Sequence, residues 1–233
     1  MKILDKMKIL MKKLTNLIKT NKLYVLTFII GCAVIGIIYK MNNTIPFGDN
    51  SLLAVDFYHQ YGPMLAELYD RVLQGDSLIY SFNMAMGLPF FRNFMNYLSS
   101  PFNIIMFFFN RENLLTSYSF IIGLKAVMAS TTMVYYLSKK FNTKDFSIMP
   151  LGIIYGFSAY FTAYYWNIMW LDGMVWLPLI TLGIENLINN SKWKLYTFSL
   201  AIMLLSNYFI GYMICIYSVI YFIFYLFLQT KFK

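Results

Sequence analysis

The sequence predicts an all-α, polytopic integral membrane protein of about six transmembrane helices, with a helical loop between the first and second spans. Three observations carry this. The 233 residues are 59% hydrophobic and 20% aromatic but only 12% charged, against roughly a quarter charged in soluble domains. The mean hydropathy is +0.57, and the apolar residues fall in runs long enough to cross a bilayer. The formal net charge of +9 comes from lysines clustered at the ends of those runs. That is the pattern of the positive-inside rule and not of a nucleic-acid partner.

Residues 1–22 hold seven lysines against Asp5 alone. Ile3, Met7, Leu10, Leu14 and Leu17 recur at steps of four and three, which predicts a basic amphipathic helix on the cytoplasmic leaflet. Leu23–Tyr39 reads as the first span, running inside to outside. Ile29-Ile30-Gly31-Cys32 matches a lipoprotein cleavage pattern, but the residues after Cys32 stay apolar, which argues for a retained span. Cys32 and Cys215 both lie in apolar runs and predict no disulfide framework.

Residues 41–113 are then the first outer loop. Pro63 suits the first position of a helix. Met64, Leu65, Leu68, Val72 and Leu73 continue it, and Gly75 ends it. Gly87-Leu88-Pro89 marks a turn. Pro101–Phe109 is too short to span and predicts a half-helix dipping into the outer leaflet. Leu114–Leu137, Phe146–Trp166, Met174–Leu187, Leu195–Ser206 and Met213–Leu228 complete six spans. A short turn, Asn167–Gly173, carries Asp172 between Trp170 and Trp176. Lysines at 139, 140, 144, 192, 194, 231 and 233 fall on every predicted cytoplasmic end. The expected localisation is the cell membrane, multi-pass, with a cytoplasmic N-terminus.

Candidate chemistry gathers in the outer loop, which also holds the single histidine, His59. Asp49 and Asp56 lie just beyond the first span. Each carboxylate suits two tasks: taking a proton from an acceptor hydroxyl, or holding a divalent cation against a phosphate. Asp56 stands in Asp56-Phe57-Tyr58-His59-Gln60-Tyr61, whose aromatics suit stacking on a sugar or a lipid headgroup. On an α-helix, His59 and Gln60 share its face. A zinc site from Asp49, Asp56 and His59 is the metal alternative. Lys125 is a charge mid-span and a functional candidate by default. Its depth matches that of Glu185, so the two are expected to pair; the alternative is that Lys125 faces a lipid phosphate. Arg92 is placed to clamp a lipid phosphate or to anchor at the interface. Asn96, Tyr97, Ser99 and Ser100 form a polar rim before the half-helix.

The ordered set of motifs resembles the YfhO family. It comprises Asp56-x-x-x-Gln60-Tyr61-x-Pro63, a helix ending at Gly75, Gly87-Leu88-Pro89 and Tyr97-Leu98-Ser99-Ser100-Pro101-Phe102-Asn103. It continues with Trp170 through Pro178-Leu179, then Ser206-Asn207-Tyr208 and Gly211-Tyr212-Met213. The resemblance covers about residues 23–228. It implies a GT-C-like glycosyltransferase that moves a sugar from a polyprenyl-phosphate donor to a cell-envelope polymer such as lipoteichoic acid, on the outer face. It also implies an acidic residue in the first outer loop as base or metal ligand; Asp56 matches best and Asp49 second. Donor and acceptor contacts are then expected from His59, Gln60, Tyr61, Arg92, Asn96, Tyr97, Asp172 and Lys125, with membrane lipids as partners and a divalent cation as the one cofactor to consider. Family members are longer, so the chain is expected to correspond to an N-terminal portion whose C-terminal half completes donor and acceptor binding. Two other classes compete: a lipid or sugar transporter (a flippase), and a non-catalytic membrane scaffold. Polar residues that gather outside and plain spans favour surface chemistry over translocation.

Overall fold

A computed structural model describes residues 20–84 and 86–231. The expected amphipathic segment at the N-terminus lies almost wholly outside them. Among the described residues the protein is helical, with no strands. The long elements are α1 (Lys22–Met41), α4 (Leu114–Lys140), α7 (Leu171–Asn190) and α9 (Tyr208–Lys231). The shorter ones are α2 (Gly62–Gln74), α3 (Phe90–Asn93), α5 (Met149–Gly156), α6 (Ala159–Tyr164) and α8 (Lys194–Ser206). Five stretches are long and apolar enough to cross a membrane: 22–41, 111–140, 146–164, 171–190 and 208–230. This is a multi-pass membrane protein.

Burial sorts the spans. Over their most apolar stretches α4 is 61% buried and α7 67%, whereas α1 is 28% and α9 17%. Thus α4 and α7 form the centre; α4 packs on α1, α5 and α7, while α8 packs on α7 and α9. Residues 42–113 join α1 to α4 at one end, the loop end. Lys139, Lys140, Lys192 and Lys194 gather at the other, the lysine end.

Tyrosine hydroxyls stitch α1 to α4. Tyr39 donates to the Ser119 carbonyl at 2.8 Å and Tyr24 to Ser138 Oγ at 3.0 Å. The order of the two pairs makes these helices antiparallel. Against α5, α4 packs through small residues: a methyl group on Gly156 would stand 2.5 Å from the Ala126 carbonyl oxygen, and one on Gly152 2.7 Å from that of Ser130. Such close approach is how membrane helices gain dispersion energy without a hydrophobic drive between them. Pro178 sits inside α7 and has no N–H for the Met174 carbonyl. The Tyr155 hydroxyl donates to that carbonyl instead, at 2.9 Å.

Two expected spans differ. The third is broken between α5 and α6, at Phe157-Ser158. The fifth is α8, only 13 residues. At 1.5 Å per residue it rises about 20 Å, short of a hydrocarbon core of about 30 Å. Its end at Asn207 is met by the loop: Asn207 Nδ2 donates to the Asn96 carbonyl at 2.8 Å, and Ser99 Oγ donates to the Leu205 carbonyl. The expected half-helix is a 3-10 helix, Pro101–Phe108.

Two glycines separate close packing from open space. Gly156→Ala is expected to cost about 1–3 kcal/mol through forced helix separation. Gly36→Ala, where an added methyl meets nothing within 4 Å, is expected to leave stability unchanged or slightly raised. Thermal unfolding of the two variants in detergent checks the contrast.

Candidate active site

The site grows from one helix start. Val55 has φ +46°, a conformation that costs a β-branched residue of order 1–3 kcal/mol. Asp56 follows it, exposed. Residues Phe57–Tyr61 then form a π turn, closed by the Gly62 N–H bonding the Phe57 carbonyl, before α2 begins. Pro63 supplies a physical cause. In a regular α-helix its ring would clash with the His59 carbonyl and its absent N–H would leave that carbonyl unpaired. Widening the turn to five residues relieves both.

This widening decides which side chains meet. On an α-helix, residues five apart diverge by about 140°; a π turn returns the fifth to the same face. This brings Tyr61 toward Asp56, close enough for the carboxylate to act on its hydroxyl. Burial, with the Asp56 and Tyr97 oxygens beside it, pushes the Tyr61 hydroxyl up to about 12. It stays a proton donor at neutral pH. Any stability linked to this shift is complete below the ordinary tyrosine range near 10 and is lost as pH rises through 12.

Tyr61 stacks on Tyr97 with ring centroids 5.4 Å apart. Tyr97 itself lies in a second π turn, Phe94–Leu98. Beyond the stack opens a hollow of about 540 Å³, lined among others by Arg92, Asn93, Asn96, Tyr97 and Tyr208. Arg92 is exposed and makes no ion pair among the described residues. Asp56 is thus linked through the buried Tyr61 to Tyr97, and Tyr97, Asn96 and Arg92 line the hollow together. His59 is exposed, edge-on to Tyr58 at 5.0 Å, and Gln60 is half-buried beside the same turn. Asp49 is exposed on the tight turn 43–50, and no hydrogen bond joins it to Asp56. Among the described residues no three of His, Cys, Asp and Glu converge, so the Asp49, Asp56 and His59 zinc set does not form.

Asp172 is not in a turn but in the first turn of α7, fully buried. It, and not Glu185, is the partner of Lys125. Lys125 Nζ lies 2.6 Å from Asp172 Oδ2, both side chains inaccessible, and also donates to the Ile168 carbonyl at 2.8 Å. Ser100 Oγ donates to Asp172 Oδ1 at 2.8 Å. Matching depths by helix rise misplaced the pair because the chain before Asp172 folds in turns packed between the helices (Asn167, Ile168 and Met169 are buried) and the lysine side chain reaches toward it. Glu185 is held at the lysine end by Lys140 Nζ at 2.6 Å and by the Tyr136 and Tyr221 hydroxyls at 3.2 and 2.6 Å. The two ion pairs run in the same order along both helices, so α4 and α7 are parallel and tied at two levels.

The profile of the family described as bacterial membrane protein YfhO matches residues 27–233. The chain belongs to the YfhO family. No curated protein and no solved structure matches it. The motif residues of this YfhO chain are largely its joints. Ser99, Ser100 and Asn207 bond loop to helices as above, and Asn103 Nδ2 donates to the Leu98 carbonyl at 2.8 Å.

One cluster was missed at the sequence level. Arg71 is mostly buried; it bonds Glu67 at 2.8 Å and the Tyr80 carbonyl at 3.1 Å, and lies 4.9 Å over the Phe90 ring. Glu67 also accepts from Ser81 Oγ. This network clamps residues 77–81 to α2 and sets the start of α3, hence Arg92. The signal was present in Glu67 and Arg71 at a helical step of four, with no way to see that both would be buried.

Asp172→Asn is expected to destabilise by about 3–5 kcal/mol, since it leaves the Lys125 ammonium buried without its counter-charge. The apolar pair Lys125→Met with Asp172→Leu is expected to recover most of that loss. Unfolding midpoints in detergent check it; a single variant as stable as the parent would remove the pair from its structural role.

Proposed function

We propose that this YfhO-family protein is a membrane glycosyltransferase, or the N-terminal part of one, with Asp56 as general base. The N-terminus is then cytoplasmic and the loop end faces outward. The observation that supports this most is the continuity of Asp56, the Tyr61–Tyr97 stack and the Arg92-lined hollow at a single end of the molecule. Strain at Val55, next to Asp56, fits a residue held for function.

The donor is a polyprenyl-phosphate-linked sugar and the acceptor a hydroxyl of a cell-envelope polymer such as lipoteichoic acid. Asp56 takes the hydroxyl proton as the acceptor oxygen bonds the anomeric carbon. The bond from that carbon to the phosphate oxygen breaks, and polyprenyl phosphate leaves with the electron pair. A phosphate leaves readily, so no strong general acid is required. Arg92 pairs with the phosphate. Tyr97 offers a ring face to the sugar, and Tyr61 orients the Asp56 carboxylate by donating to it. A divalent cation, if used, would be shared between Asp56 and the donor phosphate; Asp49 is the second acidic candidate.

The helix breaks at Phe157-Ser158 and at Asn207 favour a second reading, translocation of a lipid-linked sugar, since broken helices mark transporter sites. The charges deepest between the helices, Lys125 and Asp172, however, are bonded to each other with both side chains inaccessible.

Asp56→Asn is expected to lower turnover by about 10²–10⁴-fold with membrane insertion intact. Tyr97→Ala is expected mainly to raise KM, by about tenfold for a lost ring contact of roughly 1–1.5 kcal/mol. Sugar incorporation from a radiolabelled polyprenyl-phosphate donor measures both. Full turnover by Asp56→Asn would discard Asp56 as base, and full complementation in cells would turn the assignment toward translocation.

A further inference from the structure

At the lysine end, opposite the site above, a second hollow of about 450 Å³ opens between α4, α7 and α9. Lys139, Lys140, Lys192, Asn186, Asn189 and Asn190 line it. Its one carboxylate, Glu185, is 4% exposed and already holds Lys140 and two tyrosine hydroxyls. The charge left over is therefore that of Lys139 and Lys192, neither of which has a carboxylate partner among the described residues. Tyrosine rings pre-orient the ammonium groups: Lys140 Nζ lies 4.7 Å over the Tyr225 ring and Lys139 Nζ 5.5 Å over that of Tyr135. Asn189 donates to the Tyr225 hydroxyl at 2.9 Å, fixing the wall.

Helix dipoles alone do not account for this arrangement. Lysines at the C-terminal ends of α4 and α7 do offset the partial negative charge there. That role asks only for solvated cations near each terminus, not for lysines from α4 and from the connection after α7 converging with three carboxamides on one concave surface. The side chains free to bind are ammonium and amide N–H donors, which suit a ligand rich in acceptor oxygens and negative charge. The wall beside Tyr225 continues onto the outward face of α9, where Phe222, Ile223, Phe224 and Leu226 are exposed. A ligand with an anionic head here would lay apolar chains along that face.

We propose that this hollow binds the phosphate headgroup of an anionic phospholipid, with Lys139 and Lys192 on the phosphate and the acyl chains against α9. Basic pockets between helices at the cytoplasmic side are a recurrent way of holding such headgroups. The assignment is independent of the transfer chemistry at the loop end, and its test does not read activity.

The test is the unfolding midpoint of the purified chain in mixed micelles carrying phosphatidylglycerol or phosphatidylcholine at equal mole fraction. Phosphatidylglycerol is expected to raise the midpoint of the parent above that in phosphatidylcholine. The Lys139→Gln, Lys192→Gln variant is expected to lose at least half of that difference, and Lys139→Arg, Lys192→Arg to restore it. Lys144→Gln with Lys194→Gln, exposed lysines at the same end that do not line the hollow, is expected to keep it. Circular dichroism before heating checks that each variant is folded. An equal response in the Lys139, Lys192 variant would overturn the site. So would an equal loss in the Lys144, Lys194 variant, which would make the effect one of general surface charge. A matching shift from inorganic phosphate would put a soluble anion, not a lipid, in the hollow.

Discussion

The buried ion pair between Lys125 and Asp172 holds the architecture together. Two charges removed from water cost more than their attraction returns unless their remaining hydrogen-bonding capacity is met. Here much of it is met: the Ile168 carbonyl takes a second Lys125 proton, and Ser100 donates to the second Asp172 oxygen. The last bond matters most for function. Ser100 belongs to the loop, so the same pair that fastens α4 to α7 also draws the chain after Tyr97 down between the helices. The short α8, ending against Asn96 and Ser99, completes the seat. Remove the pair and the loop loses the anchor that positions one half of the Tyr61–Tyr97 stack.

The other half comes from a backbone effect. Pro63 cannot be accommodated in a regular turn, the turn widens, and Tyr61 rotates onto the face of Asp56. The catalytic proposal therefore rests on two independent devices that converge: a buried charge pair placing Tyr97, and a proline-induced π turn placing Tyr61. Arg71, buried against Glu67 and Phe90, governs a third approach, that of α3 and Arg92.

Much of this was legible in the sequence, and the rest has identifiable causes. Long apolar runs are read directly by hydropathy, so α1, α4, α7 and α9 were expected within a few residues. The loop was singled out, and within it Tyr61 stacks on Tyr97, which lines one hollow with Asn96 and Arg92. What failed was anything that depended on irregular backbone. The π turn that carries His59, Gln60 and Tyr61 leaves no periodic trace, so the approach of Tyr61 to Asp56 was not foreseen. Asp172, flanked by tryptophans, looked like an interfacial turn residue because nothing local announces burial between helices. Lys125 was paired with Glu185 by counting rise along straight spans, a measure blind to the folding of residues 165–170 and to side-chain reach. The α8 segment is apolar throughout, yet its length falls short of a crossing and the loop makes up the difference.

The most direct test of the central link is hydrogen exchange on the Ser100→Ala protein, which severs loop from ion pair while leaving Lys125 bonded to Asp172. A hydrogen bond to a charged group contributes about 1.5–3 kcal/mol, so amides of residues 94–103 should exchange roughly 10–100-fold faster, with the centres of α4 and α7 unchanged. Unaltered protection across 94–103 would contradict the account, because the loop would then be held in place without the pair.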